Sequence, residues 1–239
     1  MLRLRTFGGI TVERDGVPIT ASTQRRILAV LALLARAGAR GVCRDRVVAL
    51  LWPDSGEESG RNALRQLLFR LRRELGAPDA VVGAARLWLD ATLVAADVGE
   101  FEASLEAGER ERVAALYGGP FLDGFRVPGA PEFERWAEAE RRSLAARAAG
   151  AIEQLARDAE RRGDGAGAVA HWRRLAALDP LGTTTALGLA RALLAAGDAT
   201  GALQQARLHE RMVRQELGVE PDAAIVALVE RRLAASTAR

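Results

Sequence analysis

The sequence contains no lysine: all 34 of its basic residues are arginine. Chemistry that needs a lysine amine is thereby excluded, so neither an intact Walker A phosphate loop nor a pyridoxal Schiff base is available. Cysteine is nearly absent as well. The single Cys43 rules out an internal disulfide framework and any CxxC zinc or redox site, and a small buried residue is the expected role for it. Only two histidines occur, His171 and His209, in helical segments without HExxH or other paired-ligand spacing; both are read as structural or surface residues. There is no GxSxG, and the glycine-rich stretches Phe7-Gly8-Gly9 and Tyr117-Gly118-Gly119-Pro120 lack phosphate-loop spacing. No catalytic, cofactor or metal site is expected, and the chain is not read as an enzyme. Long apolar runs are missing too. The longest, Ile27 to Ala35, has nine residues, against roughly 18 for a membrane span. The opening MLRLRTFGG lacks the apolar region of a signal peptide, so no membrane association is expected and the location is read as cytoplasmic.

At 239 residues with an apolar share of 49%, the chain has the composition of a globular protein and the length of two domains. Its net charge of +3 is unevenly spread: residues 1–95 hold 15 Arg against 9 acids, giving +6, and residues 96–239 hold 19 against 22, giving −3. A basic N-terminal half is the electrostatic footprint expected where a phosphate backbone is met.

The segment RNALRQLLFRLRREL, residues 61–75, is the most informative stretch. At about 100° per residue, Ala63, Leu64, Leu67, Leu68, Leu71 and Leu75 share one arc of roughly 140°, a core-facing stripe. The opposite arc carries Arg61, Asn62, Arg65, Gln66, Arg72 and Arg73, with Glu74 as its one acid. Arginine can bridge O6 and N7 of guanine, and Asn or Gln the N6 and N7 of adenine, so this arc suits major-groove readout. Read alone, it is equally a solvated charged face. Within the arc, Asn62, Arg65, Gln66 and Phe69 lie centrally enough to read bases, and Arg61, Arg72 and Arg73 are better placed for phosphates. Phe69 would meet a thymine methyl or fold back onto neighbouring structure, and Arg70 lies at the edge of the leucine stripe.

The flanking segments supply context. Leu2, Leu4, Ile10 and Val12 alternate with polar residues, and Arg14-Asp15-Gly16 is a turn leading into Val17 and Ile19, a small antiparallel sheet. Ser22 or Thr23 can cap a helix over about 24–37 with Ile27, Leu28, Leu31 and Leu34 inward and Gly38 as its stop. A short extended link, Gly41 to Cys43, precedes a second helix from about Asp45 to Trp52, ended by Pro53. The loop PDSGEESG then leads to the arginine helix. After Gly76, Val81-Val82 and Arg86 to Leu89 read as a hairpin with Leu87 and Leu89 on one face and Trp88 on the other. Two helices, an arginine helix and a hairpin make a winged helix-turn-helix, in which the third helix enters the major groove. Arg86 on the wing, and Arg44 and Arg46 at the start of the second helix, are candidate phosphate contacts.

The second half has another period. Gly163-Asp164-Gly165-Ala166-Gly167-Ala168 and Gly197-Asp198-Ala199-Thr200-Gly201-Ala202 match at an offset of 34 residues, the length of a tetratricopeptide helix pair. Leu178-Asp179-Pro180 closes the first repeat. Upstream, 132–161 is a long helical stretch whose Phe133, Trp136, Leu144, Ile152 and Leu155 are expected to pack on the repeats, with Trp136 and Trp172 as core anchors. The fold class is therefore an α+β winged helix-turn-helix followed by an all-α tetratricopeptide-like solenoid, mainly α overall, and protein binding is the default role of such a solenoid.

The segments LRLRTFGGITVERDG, LLWPD and NALRQLLFRLRRELG, followed by LYGGPFLDGF, FERWAEAER and ELGVEPD, resemble SARP-type regulators, antibiotic-pathway activators that carry a bacterial transcriptional activator domain. The resemblance covers nearly the whole chain. It implies an OmpR-type winged helix in residues 1–95 and a tetratricopeptide-like activator domain in residues 96–239. It further implies double-stranded DNA with tandem promoter repeats as target, with two subunits on those repeats as an option, and recruitment of RNA polymerase holoenzyme through its sigma factor, for instance at a secondary-metabolite cluster. By the same analogy Asp54, Glu57 and Glu58, in the loop from Pro53 to Gly60, are polymerase contacts or simply a solvated loop. The chain departs from the family pattern at Leu181-Gly182-Thr183-Thr184-Thr185, where relatives carry charged residues, and at Ala206, where an aromatic is common. The 239 residues carry no ATPase or sensor segment, which fits a small regulator and equally a piece of a larger one. Two other functions stay open: a tetratricopeptide adaptor whose N-terminal domain binds protein, and a repressor using the same DNA-binding domain.

Overall fold

Leu2, Leu4 and Val12 are all buried, and they anchor the first sheet in the computed structural model, which describes residues 1–19, 24–220 and 223–237. Strand β1 (Leu2–Arg5) pairs antiparallel with β2 (Thr11–Arg14), and β2 with β3 (Val17–Pro18). Asp15 and Gly16 turn the chain between β2 and β3, both at positive φ (49° and 83°), whose twist suits a two-residue hairpin. A further strand, β7 (Val94–Ala96), joins parallel to β1 and gives the order β3-β2-β1-β7. Three residues reading VAA carry no alternation, so this strand was not foreseen.

Helix α1 (Arg25–Ala37) has Ile27 and every residue from Ala29 to Ala35 buried. It is enclosed on nearly all sides, and Leu28, expected inward, is half-buried. Ser22 and Thr23, the expected caps, lie outside the described residues; Gln24 takes the N-cap position without a side-chain cap hydrogen bond. A 3₁₀ turn (Gly38–Arg40) leads to β4 (Val42–Cys43) and then α2 (Arg44–Leu51). Helix α3 (Glu57–Leu75) begins four residues before the arginine pattern. The second half of the expected loop is thus its first turn, where Glu57 and Glu58 oppose the positive end of the helix dipole. Gly60 lets α3 approach α2, since a Cβ there would stand 2.5 Å from Val48 Cγ1. Strands β5 (Val81–Val82) and β6 (Arg86–Leu89) form the hairpin, and β4 joins it in the order β4-β6-β5. Cys43 is exposed, not buried. Val42 pairs opposite Leu87, which is wholly buried, and strand alternation then turns Cys43 outward.

Beyond β7 come α4 (Asp97–Glu106), α5 (Arg110–Leu116) and α6 (Pro131–Arg161). Asp97, 7% exposed, reaches back to the end of β1. Its carboxylate accepts from Thr6 N (2.9 and 2.8 Å), Thr6 Oγ1 (2.6 Å), Phe7 N (3.0 Å) and its neighbour Val98 N (2.7 Å). The FGG of the N-terminus and the GGPFLDGF segment, far apart in sequence, meet here. Gly8 N donates to Pro120 O (3.0 Å), Leu122 N to Thr6 O (2.8 Å), and Phe7 forms a β-bridge with Phe121. A Cβ on Gly119 would lie 3.1 Å from Gly8 Cα, a tight approach that glycine eases. Phe7 packs its ring 5.2 Å from Phe101 and 5.1 Å from Tyr117.

These contacts draw the compact unit out to residue 145, with residues 146–239 as the second unit, whereas the sequence places a boundary at 95/96, inside β7. Phe133 and Trp136, expected to pack on the repeats, have ring partners within the first unit. Their rings lie 6.1 Å from Phe125 and 5.9 Å from Phe121, because the aromatic loop ahead of α6 offers them a partner.

The second unit contains the end of α6 with α7 (Gly165–Leu178), α8 (Thr183–Ala195), α9 (Ala199–Leu217) and α10 (Ala224–Thr237). The 34-residue offset is a structural repeat. Gly163 and Gly197 both take positive φ (73° and 83°) after a helix, and Asp164 and Asp198 each accept from the backbone N–H three residues on, of Gly167 and Gly201, at 2.8 Å. A Cβ on Gly188 of α8 would meet the Trp172 indole at 2.6 Å, which shows how closely α7 and α8 pack. Trp172 is buried, and its Nε1 donates to Glu160 Oε1 (2.7 Å). His209 is buried with Nδ1 3.3 Å from Pro180 O, and His171 is half-buried. Among the described residues no helix is long and apolar enough to cross a membrane.

Asp97→Ala strands the backbone N–H groups of Thr6 and Phe7 in a buried site. The expected loss is about 3 kcal/mol of unfolding free energy by urea denaturation, the upper range for hydrogen bonds to a charged group; a loss within about 0.5 kcal/mol, as at an ordinary surface site, contradicts this role.

Candidate nucleic-acid interface

Five leucines, at 64, 67, 68, 71 and 75, are each 2% exposed or less, and they fix the rotation of α3. Burying each contributes on the order of 2 kcal/mol, so the helix cannot roll without loss. What faces outward is then determined: Arg61, Asn62, Arg65, Gln66, Phe69 and Arg73 are all exposed, while Arg70 and Arg72 are half-buried on the flanks. Phe69 is 67% exposed. It is not folded back onto the wing.

The cations of this surface are not equivalent. Arg65 Nη1 donates to Asn62 Oδ1 at 2.7 Å, a pre-oriented pair one helical turn apart. Arg61 already has two carboxylates, Asp45 Oδ1 at 3.1 Å and Glu57 Oε1 at 2.6 Å, and the hydrogen bond and charge of Asp45, then the charge of Glu57, raise its pKa above the ordinary guanidinium value. A phosphate would have to displace them. Arg72 is engaged by the wing, its Nη2 donating to Val81 O at 3.0 Å, while its buried Nε has no partner among the described residues. Arg73 is exposed with no such tie among the described residues.

The wing is clamped by two residues expected at phosphates. Arg86 donates to Arg40 O and Gly41 O, both at 3.1 Å, and Arg44 Nε donates to Ala84 O in the β5–β6 turn. Arg46 remains exposed on α2, with no hydrogen-bond or ion-pair partner among the described residues, and Arg40, not anticipated, is exposed beside it on the 3₁₀ turn. A cleft lined by Arg44, Asp45, Arg61, Leu64, Arg65 and Ala85 runs between the start of α2, α3 and the wing tip. Three of its four charged residues are arginines. Asp54 is exposed after α2, and Glu57 and Glu58 are exposed on the first turn of α3; no contact among the described residues ties these three together. No group of three or more His, Cys, Asp or Glu placed to hold a metal occurs among the described residues.

Residues 89–233 match the bacterial transcriptional activator domain family. A solved structure of Mycobacterium tuberculosis EmbR in complex with a low-affinity phosphopeptide superposes with a TM-score of 0.64 at 22% identity, covering 97% of this chain and 65% of that one. An uncharacterized 47.3 kDa protein in the thcA 5′ region of Rhodococcus erythropolis is 33% identical over 132 residues, 54% of this chain and 28% of the relative. The chain thus spans less than two thirds of the length of either.

The neighbouring arginines 72 and 73 separate structural from exposed roles. Arg72→Ala is expected to cost about 1–2 kcal/mol of stability through the lost hydrogen bond and stem packing, and Arg73→Ala to stay within about 0.5 kcal/mol. Thermal unfolding of the two variants checks this; equal shifts would remove the distinction.

Proposed function

This chain belongs to the bacterial transcriptional activator domain family of SARP-type transcription regulators, and from that premise we propose that it reads specific promoter repeats with α3 and activates transcription there. The observation that carries this reading is the uncovered stripe Asn62, Arg65, Gln66, Phe69 and Arg73 on a helix whose other face is locked by leucines. Asn62, Arg65 and Gln66 are the donors and acceptors suited to base edges, and Phe69 offers an apolar contact to a thymine methyl. Arg73 and Arg46 supply phosphate contacts directly. Arg61 does so after exchanging its carboxylates. Arg44, Arg72 and Arg86 act chiefly by setting the wing, their remaining N–H groups being available to the backbone.

Residues 1–95 are the DNA-binding domain in this reading and residues 96–239 the activator domain, through which RNA polymerase holoenzyme is engaged at its sigma factor. Within residues 1–95, Asp54 in the α2–α3 loop and Glu57 and Glu58 on the first turn of α3 are exposed acids and are candidate polymerase contacts of their own. Two subunits on tandem repeats, a secondary-metabolite cluster as target and action in the cytoplasm complete the proposal, and genome-wide footprinting identifies operator, repeat spacing and genes together.

Neutralising about six phosphates per subunit gives log affinity falling with log salt at a slope of about −5. A flat dependence, or no duplex binding, favours a protein-binding adaptor. Transcription from a footprinted promoter with purified polymerase separates activator from repressor. Arg65→Ala is expected to lose roughly 1–3 kcal/mol of discrimination at one base pair, whereas Arg73→Ala weakens all sequences alike and reduces the salt slope by about 1.

A further inference from the structure

A cleft of about 660 Å³ opens beside the C-terminal end of α1, the base of the wing, β7 and α4, away from the α3 stripe. Its size falls within the roughly 300–1,000 Å³ of small-molecule sites. The room exists because the wall residues are small: Ala35, Ala91, Ala95, Gly99 and Ala103 all line it, and a Cβ added at Gly99 would meet nothing within 4 Å. Trp88 forms one side and is 39% exposed. Its indole lies close against the backbone of Gly83, where a Cβ would come within 2.6 Å of the ring.

The ionisable side chains of the lining are both acids, Asp90 and Glu100. Glu100 is shared with Arg3 (3.2 Å) and Arg112 (3.4 Å). Asp90 has no cationic partner among the described residues; Oδ1 accepts from Thr92 N (2.8 Å) and Thr92 Oγ1 (2.6 Å). A flat apolar wall, a floor of small side chains and an unneutralised carboxylate define one ligand chemistry. We propose that this cleft binds a small organic cation with an aromatic or otherwise apolar body, its positive charge at Asp90 and its apolar part between Trp88 and the alanine floor. A cation near an indole face and a carboxylate gains from both.

The proposal is independent of DNA reading and is tested on the full chain without DNA. Fluorescence polarisation with the cationic dye rhodamine 6G, and calorimetry with tetraphenylphosphonium, are expected to show saturable binding at one site per chain. Anionic fluorescein should bind at least about tenfold more weakly, a difference of about 1.4 kcal/mol. Gly99→Leu fills the cleft and places a better helix former in α4, so the variant should stay folded and lose both cations by about tenfold or more. Asp90→Asn should weaken the cations by roughly five- to tenfold, as loss of the ionic partner requires, and should not weaken fluorescein. If Gly99→Leu unfolds, Ala103→Leu is the filling variant. No saturable binding of either cation below about 1 mM, equal binding of fluorescein, or unchanged affinity in a folded filled variant each overturns the assignment.

Discussion

The carboxylate of Asp97 is the point on which the first compact unit depends. Buried and accepting five hydrogen bonds, four of them from the backbone N–H groups of Thr6, Phe7 and Val98, it is a carboxylate taken out of water, which is tolerable only because nearly every lone pair is used. Its position at the start of α4 adds the favourable end of a helix dipole. Holding Thr6 and Phe7 there fixes the end of β1, which pairs with β2 and β7 along its two edges and beyond which Phe7 bridges to Phe121 of the loop 117–125. The winged helix is thereby joined to α4 and the loop 117–125 by backbone pairing.

That arrangement matters for the exposed face of α3 because nothing on the helix itself decides which of its arginines are left to solvent. The leucine stripe sets the rotation, Gly60 sets the spacing to α2, and Arg72, Arg86 and Arg44 fix the wing beside it. Six cations that look alike in sequence thus divide into those spent on the scaffold and those left to solvent. A guanidinium has five donors, so a scaffold role at one edge leaves others, and the division is one of emphasis.

Features resting on local periodicity were legible: the leucine face of α3, the strand alternation around Leu2 to Val12, and the paired Gly-Asp turns at 34-residue spacing that recur as identical caps at Asp164 and Asp198. Features resting on distant partners were not. Asp97 meets Thr6 across 91 residues, and the aromatic loop that receives Phe133 and Trp136 announces itself only as a glycine-rich run. For Cys43 the residue type favours burial, while the pairing of its strand with β6, which the sequence does not show, turns it outward. The start of α3 was missed because Ser-Gly-Glu-Glu-Ser-Gly has turn composition, which acids at a helix N-terminus and a glycine at a close helix crossing also share.

The acidic residues of the later chain acquire a purpose from this arrangement. Residues 96–145 hold 11 acids against 6 arginines, and residues 146–239 hold 11 against 13, so the negative charge is concentrated within the same compact unit as the basic winged helix. It is placed selectively: Glu100 pairs with Arg3, and Glu102 and Glu140 both pair with Arg36 on α1. Those arginines lie outside α3. Among the described residues the acids that contact the α3 arginines are its near neighbours Asp45 and Glu57, both at Arg61, and Arg65 and Arg73 meet none. Neutralising arginines elsewhere while leaving the α3 stripe uncompensated concentrates positive potential on one face, which raises the rate of encounter with a polyanion without a large net charge. A modest whole-chain charge of +3 is then the sum of a deliberate asymmetry, and the absence of lysine keeps every one of those charges on a planar, always-protonated group.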